Sequence, residues 1–312
     1  MANVRYGIFP DARRGWEVVR LAALEAERSG YESMWLADHL MGDRPLLESW
    51  TALSALSTLT SRIRLGTMVL CNSFRSPALL AKMDATLDNV SKGRVELGIG
   101  AGWKQDEYLG YGYEFPSPAT RISQLKEALI IIDKLWTESP ATYEGKHFRI
   151  HQAYCEPRPI QKPRIPITVG GVGEQLMLKL VARYADRSNW WVCPKELFAK
   201  RTQILDEYCQ KLRKLPPIEK SATAFLNIAK TQEQLAQNLE QFHRAEGSSR
   251  PFEEWRKEVS SRMVSGTPDQ CLQQLHIYTD LGVTYFMLRP IDLPKTEGLR
   301  LFAETVGLQS GM

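Results

Sequence analysis

The sequence predicts a single (β/α)₈ barrel, a TIM barrel in the α/β class, on three observations. Short β-rich runs alternate with helical runs eight times along the chain. Its 312 residues suit one barrel of roughly 250 residues or more. No Gly-x-Gly-x-x-Gly follows the first strand, where an open doubly wound sheet would carry its pyrophosphate turn. Alternation of this kind demands parallel pairing, because each crossover helix returns the chain to the same end of the sheet.

The first strand is expected at Val4–Phe9; the turn after it, Pro10-Asp11-Ala12-Arg13, cannot cradle a pyrophosphate. Gly15–Ser29 follows as an amphipathic helix, with Val18, Leu21, Ala22 and Leu24 on one side and Gly30 as its stop. Strands at Tyr31–Leu36, Ile63–Leu70 and Arg94–Ile99 alternate with helices at Ser49–Thr60 and Pro77–Val90, and Pro77 suits a first helical turn. Thr120–Trp136 places Ile122, Leu125, Leu129, Ile132 and Trp136 at helical spacing. In the second half, strands fall at Ile165–Val169, Asp186–Val192, Ala222–Ile228 and Thr284–Leu288. Helices fall there at Gly173–Tyr184, Lys195–Lys214, Thr267–Leu281 and Thr296–Val306, and Thr267-Pro268 is a good N-cap and N1 pair.

Excursions interrupt this rhythm between strands four and five and before strand eight. Gly102–Ala119 is rich in Gly, Tyr and Pro, and 137–166 carries prolines at 140, 157, 159, 163 and 166, with a hairpin expected around Glu144-Gly145. Thr231–Arg262 reads as helical and irregular. None is distinct enough to be a domain, so 1–312 is read as one.

Composition narrows the function. Forty basic against 36 acidic side chains give a net charge of +4, without the one-sided basic face of a nucleic-acid binder. The five cysteines include no Cys-x-x-Cys pair, which argues against a disulfide framework or a structural zinc and for a reducing cytoplasm. The start, Met1-Ala2-Asn3-Val4-Arg5, lacks the apolar stretch of a signal peptide, and no apolar run reaches the ~18 residues of a membrane span. No nucleic-acid or membrane partner is therefore expected.

In such a barrel the chemistry lies just after each strand. Ala37-Asp38-His39 follows strand two; His39 can hold a proton near neutral pH or satisfy hydrogen bonds between loops. Met68-Val69-Leu70-Cys71-Asn72 reads as an ordinary strand end. Gly98-Ile99-Gly100-Ala101-Gly102-Trp103 removes side chains alternately, which admits a flat ligand or marks a barrel corner. Thr168-Val169-Gly170-Gly171-Val172-Gly173-Glu174 leads into an expected helix N-terminus and makes an anion site suited to a cofactor phosphate. Of Trp190 and Trp191, which point opposite ways, one faces the mouth or both pack on helices. His147 and His151 fall in the proline-rich excursion. No acidic cluster marks a metal, and no Gly-x-Ser-x-Gly marks a nucleophile. A borrowed cofactor is the better source of chemistry.

Four stretches together resemble the bacterial luciferase-like superfamily: MWLADHL, RIRLGTMVL, RSPALLAKMDATLDNVSKGRVELGIGAGW and PITVGGVGEQLMLKLVARYAD. YGYEFPSPATRISQLKEALIIIDKLWTE and YCEPRPIQKP are similar to its coenzyme F420-dependent branch. The resemblance covers roughly residues 4 to 192 strongly. It implies a TIM barrel with an isoalloxazine-type ring in the mouth, backed by a non-prolyl cis peptide at Met68–Val69. It implies Asp38 near the polar edge of the ring, His39 as the catalytic proton carrier, and Ala101 and Gly102 lining the cofactor. Gly170, Gly171, Val172 and Gly173 match the loop that holds the cofactor phosphate. Trp103 stands where the deazaflavin sugar-phosphate dehydrogenases carry an acidic Glu, and Met41-Gly42-Asp43 stands where they carry an aromatic residue, so sugar-phosphate oxidation is not expected.

The implied activity is hydride transfer between coenzyme F420 and a small organic substrate. The alternatives are an FMN-dependent two-component monooxygenase, fed reduced flavin by a separate reductase and using oxygen, and a non-catalytic flavin-binding barrel. The resemblance also implies a homodimer.

Overall fold

The computed structural model describes residues 4–309. In chain order its strands are β1 (Arg5–Ile8), β2 (Ser33–Leu36), β3 (Arg64–Thr67), β4 (Leu70–Cys71), β5 (Val95–Gly100) and β6 (Ala141–Glu144), then β7 (Arg149–Ala153), β8 (Ile167–Gly170), β9 (Arg187–Trp191), β10 (Glu219–Ile228), β11 (Met263–Gly266) and β12 (Val283–Pro290). The helices are α1 (Trp16–Arg28), α2 (Ser49–Leu59), α3 (Pro77–Val90), α4 (Gln105–Gly110), α5 (Pro118–Thr137) and α6 (Met177–Tyr184), then α7 (Lys195–Leu212), α8 (Gln232–Glu246), α9 (Phe252–Ser260), α10 (Pro268–Thr279) and α11 (Glu297–Val306). Eight parallel strands close the barrel in the order β1-β2-β3-β5-β8-β9-β10-β12, with β12 returning to β1. No helix among the described residues is long and apolar enough to cross a membrane.

Four local readings are corrected. The third strand is not continuous over Ile63–Leu70: a cis Met68–Val69 peptide divides it into β3 and β4. Thr231–Arg262 is helical as expected, forming α8 and α9, but a strand the pattern does not predict, β11, follows it and pairs with β10 beyond the end of β9 (Phe225 opposite Met263, Ile228 opposite Gly266). The Gly/Tyr/Pro-rich stretch after β5 contains a short helix, α4. Finally, α6 starts at Met177, so residues 174–176 separate Gly173 from the helix N-terminus. In the excursion before β8, β6 and β7 form an antiparallel hairpin, and its turn is held by Glu127, whose carboxylate accepts from the amides of Lys146, His147 and Phe148.

Alternation along the strands builds two cores. In β2, Met34 and Leu36 join the large cluster between sheet and helices, while Trp35 joins Phe9, Tyr285 and Met287 inside the barrel. Gly66 is glycine because its neighbour across the register is Trp35, whose ring occupies the place a Cβ would take. The N-terminal end of the barrel is closed by ions. Glu96 accepts from Arg64 Nε (2.5 Å) and Arg187 Nη1 (2.6 Å); Glu219 accepts from Arg187 Nε (2.7 Å) and Arg5 Nη2 (2.5 Å). Arg187 also lies over the Tyr285 ring, 4.6 Å from its centroid. Burial pushes the Glu96 carboxyl up, but Arg187 and Arg64 outweigh it and hold it below the usual range.

One buried carboxyl group lacks such partners. Asp84 on α3 is fully buried, and neither carboxylate oxygen has a hydrogen-bond partner among the described residues. Burial, reinforced by Asp88, holds its carboxyl well above the ordinary value. The folded state therefore keeps a proton that the unfolded state releases. Stability falls as pH rises through the ordinary carboxylate range and up to the raised folded value. Asp84→Ala is expected to stabilise the fold by about 1–3 kcal/mol, with a larger gain at pH 8 than at pH 4 in urea unfolding. An equal gain at both pH values would contradict this.

Candidate active site

A cavity of about 1050 Å³ opens at the C-terminal ends of the barrel strands. Nine of the ten residues expected at the site line it: Asp38 and His39 after β2, Met68 and Val69 at the cis peptide, Ala101 and Gly102 after β5, and Gly170, Gly171 and Val172 after β8. Gly173, one residue further along the loop, does not line it.

Asp38 is not free to touch a ligand with its side chain. Its carboxylate has no exposed surface. It accepts from Arg75 through both terminal nitrogens (2.8 and 2.9 Å), from Ser49 Oγ (2.9 Å) and from the Cys71 amide (3.0 Å). Asp38 ties the end of β2 to α2 and β4, and it reaches the cavity through the backbone segment it fixes.

His39 is held differently. Its Nδ1 lies 2.9 Å from Glu107 Oε1 and 3.1 Å from Oε2, and the Glu107 side chain is 2% exposed. A carboxylate acceptor makes Nδ1 the donor and leaves Nε2 to carry or receive a proton. Lys104 Nζ, 3.1 Å from the same carboxylate, also donates to the Met41 carbonyl, so Glu107 is fixed from two sides. Trp103 approaches His39 edgewise, with ring centroids 6.0 Å apart. Glu107 lies on α4, inside a segment read from sequence as a surface excursion. The available signal was a carboxylate a few residues past one strand end and a histidine just past another, since such ends converge in a barrel.

The glycines of β5 serve the chain before they serve a ligand. A Cβ at Gly98 would meet the Thr67 carbonyl, and one at Gly100 would lie 2.8 Å from Val69 Cγ2. Together they seat the Met68–Val69 bulge. Gly102 has φ +76°, and its Cβ would strike the Tyr108 hydroxyl and Cys71 Sγ, which are 3.1 Å from each other. Gly102→Ala is expected to cost about 1–3 kcal/mol through overpacking, read as a lowered melting temperature; an unchanged melting temperature would contradict the assignment.

In the loop after β8, the backbone N–H groups of Gly171, Val172 and Gly173 have no protein acceptor among the described residues. Trp190 donates to the Gly171 carbonyl (3.0 Å) and packs edge-on against Phe198. Trp191 packs with the barrel-interior cluster, 6.4 Å from Phe9. Of the pair, Trp190 braces the glycine loop and Trp191 faces the barrel interior.

On the opposite rim, Asp11 pairs with Arg13 (2.8 Å) and Arg289 (2.6 Å), and Arg13 reaches on to Glu246 (2.6 Å). Burial pushes the Asp11 carboxyl up, but Arg289 and Arg13 outweigh it and bring it to about 2.

The barrel mouth thus brings a carboxylate-held histidine and a glycine loop of free amides to one cavity. The model of the family described as luciferase-like monooxygenase matches residues 9–285, and the chain belongs to that family. It is similar to an F420-dependent glucose-6-phosphate dehydrogenase of Intrasporangium calvum, 28% identical over 299 residues, 85% of this chain and 86% of that one. It is 35% identical over 196 residues to an uncharacterised protein of Mycobacterium tuberculosis, covering 56% of this chain and 67% of that one. The coenzyme F420-dependent tetrahydromethanopterin reductase of Methanopyrus kandleri superposes with a TM-score of 0.82 at 22% identity, over 99% of this chain and 100% of that one, which shows the shared fold.

Proposed function

We propose that this protein is a coenzyme F420-dependent oxidoreductase that moves a hydride to or from a small organic substrate. The observation that carries this reading is His39, held at Nδ1 by buried Glu107 and opening on the same cavity as the Gly170–Val172 loop. The relatives of known activity point to the same coenzyme. The residues fit the group. The cavity has the size of a cofactor site, and the free amides of Gly171, Val172 and Gly173 suit a phosphate without needing a helix N-terminus. When bound, the deazaflavin supplies or accepts the hydride, and its ring carbon in place of N5 makes it react poorly with oxygen.

The protein supplies orientation, a dry pocket and a proton. Met68 and Val69 would back the ring, and Ala101 and Gly102 would line it, since all four line the cavity. Nε2 of His39 gives a proton to the substrate heteroatom during reduction and takes it back during oxidation. Glu107 is a positioning residue that fixes the histidine tautomer. A separate reductase, a partner of the same kind as that needed for FMN, recharges the coenzyme when the substrate is reduced.

The test separates this reading from the FMN monooxygenase. In aerated buffer the protein is expected to leave oxygen uptake by free reduced FMN unchanged, while reduced F420 stays bound and unconsumed. Protein-dependent oxygen uptake with FMN and an organic substrate would overturn the proposal.

A further inference from the structure

Resting on the coenzyme reading above, we propose that the substrate is an uncharged, flat, apolar carbonyl or imine compound that stacks on Trp103, and that Trp103 is a specificity-determining residue of the site. Trp103 is 71% exposed although it lines the cavity. An indole left open in a cofactor-sized cleft is a contact surface awaiting a partner, unlike a lone apolar residue scattered on a convex surface. It stands 6.0 Å from His39, so a ligand stacked on it lies beside the proton carrier. Phe9 and Trp191, which also line the cavity, supply further aromatic surface.

The charges of the cavity argue in the same direction. Its cationic lining residues are Arg13, Lys104 and Arg289, and each is already in an ion pair, with only the buried Nε of Arg289 lacking a hydrogen-bond partner among the described residues. Arg13 meets Asp11 and Glu246, Arg289 meets Asp11, and Lys104 meets Glu107. Asp43 lies 3.6 Å from Arg13 and Asp106 3.6 Å from Lys104, so carboxylates outnumber cations in the lining. A phosphorylated substrate would have to enter without a free cation and against these carboxylates, at a cost in desolvation that no partner offsets. An uncharged ketone meets no such penalty. In reduction, its carbonyl carbon gains the hydride, the π pair moves to oxygen, and the oxygen takes the proton from His39 Nε2. The product is an alcohol, and the coenzyme is left oxidised by two electrons.

The test uses 2-acetylnaphthalene as an uncharged aryl ketone and glucose 6-phosphate as the anionic competitor. Each is titrated into the protein, with and without oxidised F420, following tryptophan fluorescence and heat. The ketone is expected to bind, to bind about tenfold more weakly to Trp103→Ala, and to recover most of that affinity in Trp103→Phe. Coenzyme affinity and melting temperature should be the same in all three proteins, and glucose 6-phosphate should not displace the ketone. Failure of the ketone to bind, equal ketone affinity in Trp103→Ala, or competition by glucose 6-phosphate would overturn the proposal. Loss of coenzyme binding in the unmodified protein, with ketone binding still dependent on Trp103, would instead overturn the coenzyme reading.

Discussion

His39→Ala is expected to lower turnover by about 10²–10⁴-fold, the usual worth of a positioned proton donor, while the affinity for F420 changes little. Among the described residues, the one side-chain hydrogen bond of the histidine is to Glu107. Removing the ring leaves space beside the reacting atoms, so added imidazole should restore part of the rate. Glu107→Gln should cost less, roughly 10–100-fold, because it removes an orienting partner and keeps the ring. Kinetics on the three proteins, with and without imidazole, check this. A His39→Ala variant of unchanged turnover would remove the residue from the chemistry.

The second large effect is on stability. Glu96 is buried between Arg64 and Arg187. Glu96→Ala leaves both guanidinium groups short of a partner, and Arg187, itself buried, keeps Glu219 as its one carboxylate beside the Thr168 hydroxyl. Breaking a buried pair from one side costs about 3–5 kcal/mol, which for a domain of this size lowers the melting temperature by roughly 10 °C. Because the network plugs the end of the barrel opposite the cavity, F420 affinity of the folded variant should be unchanged. Glu96 and Glu219 are both held below the usual carboxylate range by their arginines, against burial that pushes them up. Their contribution is therefore complete above the ordinary Glu value and is lost as pH falls through the lower folded values. The variant should accordingly lose less to acid than the native chain. A melting temperature within two degrees of native would show that the plug is dispensable.

Much of this architecture could be read from the chain alone, because strand and helix periods are local. Trp35 alternating with Met34 and Leu36, and Pro77 opening α3, need only their neighbours. The parts that escaped are non-local. Glu107 matters because it meets His39 across 68 positions. Arg187 and Glu96 read as strand residues because nothing nearby tells that the barrel brings them together. β11 was hidden by a helical stretch with no turn signal before Met263. The break at Met68–Val69 is invisible to periodicity and came only from family resemblance. For Asp38, the place at a strand end was legible, but Arg75 and Ser49, which occupy its oxygens, were not.

The central claim is that this barrel mouth is built for a deazaflavin. Equilibrium titration of the purified protein with oxidised F420 and, separately, with oxidised and reduced FMN tests it most directly. Saturable F420 binding at one per chain, at least about tenfold tighter than either form of FMN, is the predicted result. Tighter binding of reduced FMN, with no saturable binding of F420, would contradict it.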